Sequence, residues 1–301
     1  MKKMKISILW ALAASLCAFS LIACNEDELS PNSVFQNQTY EETPLDAWLY
    51  KNYVQPYNIE FQYRFVDRES DMLYQLVPAD YDKAVKMAHL VKHLCFEAYD
   101  TVTGSTEFIS SYFPKMVFLV GSPAYNNNGS IVLGTAEGGS KITLYNVNIL
   151  DPTNAESLNS YYFKTIHHEF THILNQTKLY STDFDQIVGT TAGIEYVGDD
   201  CFSVYTSDNL ALADGFISRY SSKSPAEDFA EMVSIYVTNS AASWNSKLTA
   251  AGSFGRPIIE AKFDLVRQYM EKEWNIDLDV LRAEVLRRQA EIPTLDLDSV
   301  N

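Results

Sequence analysis

Residues 165–174 read TIHHEFTHIL and hold three of the chain's five histidines, with one glutamate among them. His168 and His172 are four residues apart. On a helix such a pair shares one face, with Cβ atoms about 5–6 Å apart, so both imidazoles can point at one cation. Glu169 follows His168 and is turned about 100° around the helix axis, which sets its carboxylate beside that cation rather than on it. Zn2+ held by the two histidines would bring the pKa of a bound water from ~15.7 toward ~7. Glu169 would take the proton from that water and later pass it to a leaving amine. The plainer reading is one polar turn of a buried helix whose histidines are satisfied by neighbours.

A third protein ligand is needed, and residues 219–237, RYSSKSPAEDFAEMVSIYV, offer one. Pro225 marks a helix start, and Glu227 and Glu231 lie i, i+4 on one face. HExxH followed by such an acidic pair resembles the gluzincin pattern of zinc metallopeptidases. The resemblance implies that Glu227 is the third zinc ligand and that Glu231 accepts the imidazole N–H of a histidine ligand. Asp228 points elsewhere on that helix and is the runner-up ligand. Without the upstream motif, the two glutamates read as an acidic helix start favoured by the helix dipole. Tyr220, seven residues before Glu227, resembles the tyrosine of lethal-factor-like gluzincins. That likeness implies a phenol that stabilises the oxyanion or protonates the leaving group; the alternative is a packing tyrosine. His167 faces away from His172 and reads as a bystander or a support for the ligands. His89 and His93 share the i, i+4 spacing but lack the glutamate, and read as helix-surface histidines.

These side chains need a frame, and the pattern predicts an α+β one. A short helix from Leu45 should stop at Pro56. Apolar residues alternate over 59–65 at the strand period, and an amphipathic helix follows over 78–99. Buried strands are expected at 115–122, 131–135 and 141–148, the last two forming a hairpin through Gly138 and Gly139. That hairpin is the candidate edge for extended substrate, against the alternative of plain core sheet. A long helix over about 154–176 carries the histidines, and from Pro225 onward the chain reads as nearly all helix. The expectation is an N-terminal mixed sheet with helices, a central active-site helix and a helical C-terminal lobe.

The N-terminus reads MKKMKISILWALAASLCAFSLIAC, with Lys2, Lys3 and Lys5 before an apolar run from Ile6 to Ala23. It reads as a secretory signal, or alternatively as an uncut membrane anchor. LIAC, residues 21–24, resembles a lipobox, which implies cleavage before Cys24 and lipidation of that cysteine. The expected organisation is a signal peptide over 1–23, a lipidated Cys24 and flexible tether over 24–44, and one domain over 45–301. The acidic run NEDE after Cys24 resembles an export signal of surface lipoproteins; otherwise it is a solvated tether. The formal charge of −16 argues against nucleic acid, whose phosphates require a basic surface. Membrane contact is expected through the lipid anchor only. Cys95 and Cys201 remain in the domain, and an oxidising compartment permits a disulfide between them without the spacing requiring one.

Together, the lipobox, HExxH and SPAEDFAE resemble the zinc-binding metallopeptidase lipoproteins, also called substrate import-associated zinc metallohydrolase lipoproteins. The resemblance runs from about Leu45 to Gln289, with its sharp motifs in two short segments. It implies a zincin-like fold, Zn2+, and hydrolysis of a protein, peptide or glycopeptide. It also implies attachment to the outer membrane of a Gram-negative bacterium with cell-surface exposure, beside a TonB-dependent importer and its nutrient-binding lipoprotein. The competing function is a non-catalytic surface lipoprotein that binds peptide or glycopeptide in the same cleft. The intact Glu169 speaks against it.

Overall fold

The computed structural model describes residues 41–125, 131–132, 134–137 and 139–300. The signal segment, Cys24 and nearly all of the expected tether lie outside them. Helix α1, Pro44–Leu49, does not lead to a stop at Pro56 as the sequence predicts. It continues through a π turn, Tyr50–Val54, into Gln55–Tyr57, and ends at Asn58 with φ of 53°. Pro56 follows directly on that π turn, an irregularity of the hydrogen-bond ladder at which a residue without an N–H is admitted. The 59–65 alternation buries Ile59, Phe61 and Tyr63 as expected, yet only β1, Glu60–Gln62, pairs. Helix α2, Tyr81–Val91, passes through a π turn at Lys92–Phe96 into α3, Glu97–Thr103.

Strands β2 (Met116–Leu119), β3 (Ala124–Tyr125), β4 (Ile131–Val132), β5 (Gly134–Glu137) and β6 (Lys141–Leu144) follow. The main sheet has the order β1-β2-β6-β5. Its first three strands are parallel, with Glu60 opposite Met116 and Met116 opposite Lys141, and β5 is antiparallel to β6. Val117, Phe118, Leu119, Ile142 and Leu144 are all buried, as befits central strands covered on both faces. The expected hairpin is present in altered form. Gly134–Glu137 returns as Lys141–Leu144, whereas Ile131–Val132 leaves to pair with Ala124–Tyr125. β5 is therefore a sheet edge.

The histidine segment is α4, Lys164–Thr177, entered through Ala155–Leu158 and a π turn at Asn159–Phe163. Its inner face is anchored by Phe170, whose ring meets those of Tyr99, Phe108 and Phe113 at 5.3, 5.7 and 5.1 Å. β5 runs so close to α4 that a Cβ on Gly134 would lie 2.5 Å from the Thr165 side chain; only glycine fits there. Helix α5, Pro225–Thr238, packs along α4 and is buried from Asp228 to Thr238. Helices α6, Gly252–Trp274, and α7, Leu278–Glu291, complete the helical part. The architecture is α+β and mostly helical, with a small mixed sheet. Among the described residues no helix is long and apolar enough to cross a membrane. Cys95 and Cys201 are buried and unpaired.

Candidate metal centre

Two helix segments build the centre. In α4 the four-residue spacing places the imidazoles of His168 and His172 together, their rings 4.7 Å apart at 82°. In α5 the helix start places the carboxylate. Ser224 caps it by accepting from the Glu227 N–H, and Pro225 occupies its first turn. Nε2 of His168 lies 3.0 Å from Oε2 of Glu227. Nε2 of His172 lies 3.1 Å from the same oxygen and 3.1 Å from Nε2 of His168. Three lone-pair atoms thus face one point. Among the described residues this is the one group of three or more side chains disposed to hold a metal ion. A tetrahedral ion with ~2.0–2.1 Å bonds would separate its ligands by about 3.3 Å, so the donor set fits Zn2+ in type and spacing.

The electrostatics point the same way. Burial alone would lower the pKa of His168, but the hydrogen bonds of Glu227 and Glu231 and the charges of Glu231 and Glu169 hold it at about 9. Burial would likewise raise Glu227, yet His168 and His172 keep its carboxyl well below the usual range. The carboxylates around the centre favour a positive charge between them.

Glu231 is buried and stands behind His168, with Oε1 3.1 Å from Nδ1. The same carboxylate takes Lys164 Nζ at 2.8 Å and accepts from Ser218 Oγ at 2.6 Å. Its pKa stays well below normal, because Lys164 and His168 outweigh its burial. Tyr220 Oη donates to Oε1 of Glu227 at 3.0 Å. Burial and then Glu227 push its pKa well above the ordinary phenol value, so it remains a donor. Lys223 Nζ lies 3.4 Å from both Tyr220 Oη and Glu227 Oε1. Glu227 therefore turns one oxygen to the imidazoles and the other to Tyr220 and Lys223. Glu169 is half-buried and lines a cavity of about 490 Å³ with His168, Tyr220, Thr165 and Gly134.

The structure brings together His168, Glu169, His172, Glu227, Glu231 and Tyr220. It does not bring in Asp228, whose carboxylate is fully buried against the Lys262 ammonium and accepts from Tyr196 Oη at 3.0 Å. His167 is buried, with Nδ1 3.1 Å from Tyr99 Oη, and burial pushes its pKa down to about 4. His89 and His93 are half-buried on the helix rather than fully at its surface. Their ring nitrogens meet backbone carbonyls of Ser299 and Arg288 under the C-terminal segment. Sequence reasoning missed Lys164, Ser218 and Lys223. Lys164 is four residues before His168 on α4, so helical spacing could have found it, whereas Lys223 precedes the Ser224 cap of α5 and lies outside that helix. Nothing local marks Ser218.

A family model described as "Putative zinc-binding metallo-peptidase" matches residues 38–279. A crystal structure at 2.10 Å of a protein given that same description, from Bacteroides caccae ATCC 43185, is similar to this chain. The two share 41% identity at a TM-score of 0.74, over 89% of this chain and 100% of that one. No curated protein matches.

Proposed function

The chain belongs to this zinc-binding metallopeptidase family, and from that premise we propose that it is a gluzincin-type peptidase with a zincin-like fold, cutting amide bonds by water attack. The convergence of His168 Nε2, His172 Nε2 and Glu227 Oε2 beside Glu169 carries the reading. His168, His172 and Glu227 would hold Zn2+. The ion supplies Lewis acidity, which acidifies water and polarises a carbonyl. Glu169 accepts the proton of the attacking water and delivers it to the departing amine. Tyr220, a protonated phenol at the cavity wall, would release Glu227 Oε1 and turn its one O–H toward the oxygen on which negative charge develops. Glu231 fixes the tautomer and ring orientation of His168 from behind, and Lys164 and Ser218 fix Glu231.

The lipobox-like LIAC supports attachment through Cys24 to the outer membrane. The acidic NEDE that follows supports exposure at the cell surface. There the enzyme would cut protein, peptide or glycopeptide for a TonB-dependent importer and its binding lipoprotein.

Elemental analysis of protein purified without chelator tests the centre; about one zinc per chain is expected. Glu169→Gln should keep that zinc and lose peptide hydrolysis. Hydrolysis at the wild-type rate in this variant would remove Glu169 as the base.

A further inference from the structure

The cavity at the metal centre has one wall that the proposed chemistry does not use. Phe202, on the short helix Cys201–Val204, lines it and is 51% exposed. Its ring stacks on Tyr220 at 6.1 Å and 20°, and the Arg219 guanidinium sits 5.0 Å from its centroid. Tyr220 in turn lies 5.8 Å from the His168 ring. A row of rings thus leads from the zinc ligand His168 to open solvent, and Phe202 ends it.

We infer that Phe202 is a specificity-determining wall for an apolar or aromatic substrate side chain close to the scissile bond. The inference rests on the peptidase reading above. Three observations support it. Phe202 lines the cleft with half its surface open, so its ring is placed to touch what the cleft holds. The cleft's cations are already committed. Lys164 pairs with Glu231, Arg219 lies 3.5 Å from Asp208, and Lys223 lies near Asp199 and Glu227. What remains open on this wall is ring surface, which recognises apolar and aromatic groups. Reach is the third. Two ring-to-ring steps of 5.8 and 6.1 Å span no more than about three or four extended residues, at ~3.3–3.6 Å each. The side chain that meets Phe202 therefore belongs to a residue within about three or four positions of the cut. The ring is also held in place before substrate arrives, since Arg219 is pinned by Asp208, which accepts its backbone N–H at 3.0 Å. A pre-positioned wall binds without first being ordered.

The test uses zinc-loaded protein and a peptide set in which each position near the cut carries Phe, Leu, Ala or Asp. Cleavage is followed with wild type, Phe202→Ala and Phe202→Leu. Binding is followed by fluorescence polarisation in the same three backgrounds carrying Glu169→Gln. Wild type should favour Phe or Leu at one position. Phe202→Ala should lower kcat/KM and affinity for those peptides about tenfold, with little change for the Ala peptides and unchanged zinc per chain. Phe202→Leu should keep most of the preference. A preference that survives Phe202→Ala, or no apolar preference in either assay, overturns the inference. If nothing is cleaved but binding shows a Phe202-dependent preference, the hydrolytic reading fails and the subsite stands.

Discussion

Glu231→Gln isolates the proposed support behind the candidate metal centre. The carboxylate is 1% exposed and is shared by His168, Lys164 and Ser218 at 3.1, 2.8 and 2.6 Å. The amide keeps the shape and loses the charge. Losing such a support costs about 10–100-fold in metal affinity, or roughly 1.4–2.7 kcal/mol at ~1.36 kcal/mol per tenfold. A second effect opposes it. In metal-free protein the pKa of His168 is held at about 9, partly by Glu231, so below that pH a proton competes with zinc for this ligand. Removing the carboxylate lowers the proton affinity and relieves some of the competition. The relief is largest near pH 7 and vanishes above pH 9, where wild-type His168 is already neutral. The affinity gap between wild type and variant should therefore widen as pH rises from 7 to 9. Lys164 is left without its partner but is 33% exposed and can reach water, so the fold should survive; thermal unfolding checks this. Zinc affinity is read by competition with a chromogenic chelator at pH 7, 8 and 9. Equal affinities at all three values, or a gap that closes as pH rises, would refute the assignment of Glu231 as the group that orients His168.

Three further expectations concern fold and anchoring. Burial alone would raise the pKa of Glu97, but His93, Lys92 and Arg288 bring it from 4.5 to about 2. Its pairing therefore stabilises the fold above pH 4.5 and is lost as pH falls toward 2. Arg288→Ala, which removes a 2.7 Å bond to Glu97, should be destabilising at pH 7 by an amount that shrinks toward pH 2.5 in urea unfolding; a pH-independent gap would contradict this. Phe170→Ala empties a fully buried site among Tyr99, Phe108 and Phe113 and should cost ~3–5 kcal/mol in the same assay, whereas a loss below 1 kcal/mol would mean that the site collapses. Cys24→Ala should release the chain from the membrane fraction, and continued retention would point to an uncut apolar anchor.

The candidate metal-binding face was legible because helical spacing turns sequence directly into geometry. His168 and His172 meet for the same reason that Glu227 and Glu231 do. What spacing could not give was the relation between the two helices. That depends on burial of Phe170 and Phe229 in one core and on Gly134 admitting β5 against Thr165. The missed boundaries have local causes. Pro56 and the π turns at Tyr50–Val54, Lys92–Phe96 and Asn159–Phe163 keep an apolar face inward without interrupting the hydrophobic pattern. Pattern alone therefore reads through a π turn and stops at a proline that the chain tolerates. The 131–135 run looked like one strand because periodicity cannot see a change of partner, and its two halves pair with different neighbours.

Asp228 shows why the acid next to the expected ligand had to be judged in three dimensions. Glu227 and Asp228 are adjacent in the first turn of α5, and both are carboxylates that suit a helix start. About 100° of helical turn separates them. One is delivered to the imidazoles of α4, and the other to Lys262 on α6. Each finds a positive partner, so neither is left as an uncompensated buried charge, which would cost several kcal/mol. Turning the helix by that angle would serve only one site: with Asp228 at the imidazoles, Phe229 would face Lys262, and with Glu227 at Lys262, Ala226 would face the imidazoles. The Asp228–Lys262 pair and the buried apolar side chains of α5 thus share one rotation of the helix about its axis, the one that points Oε2 of Glu227 at Nε2 of His168 and His172.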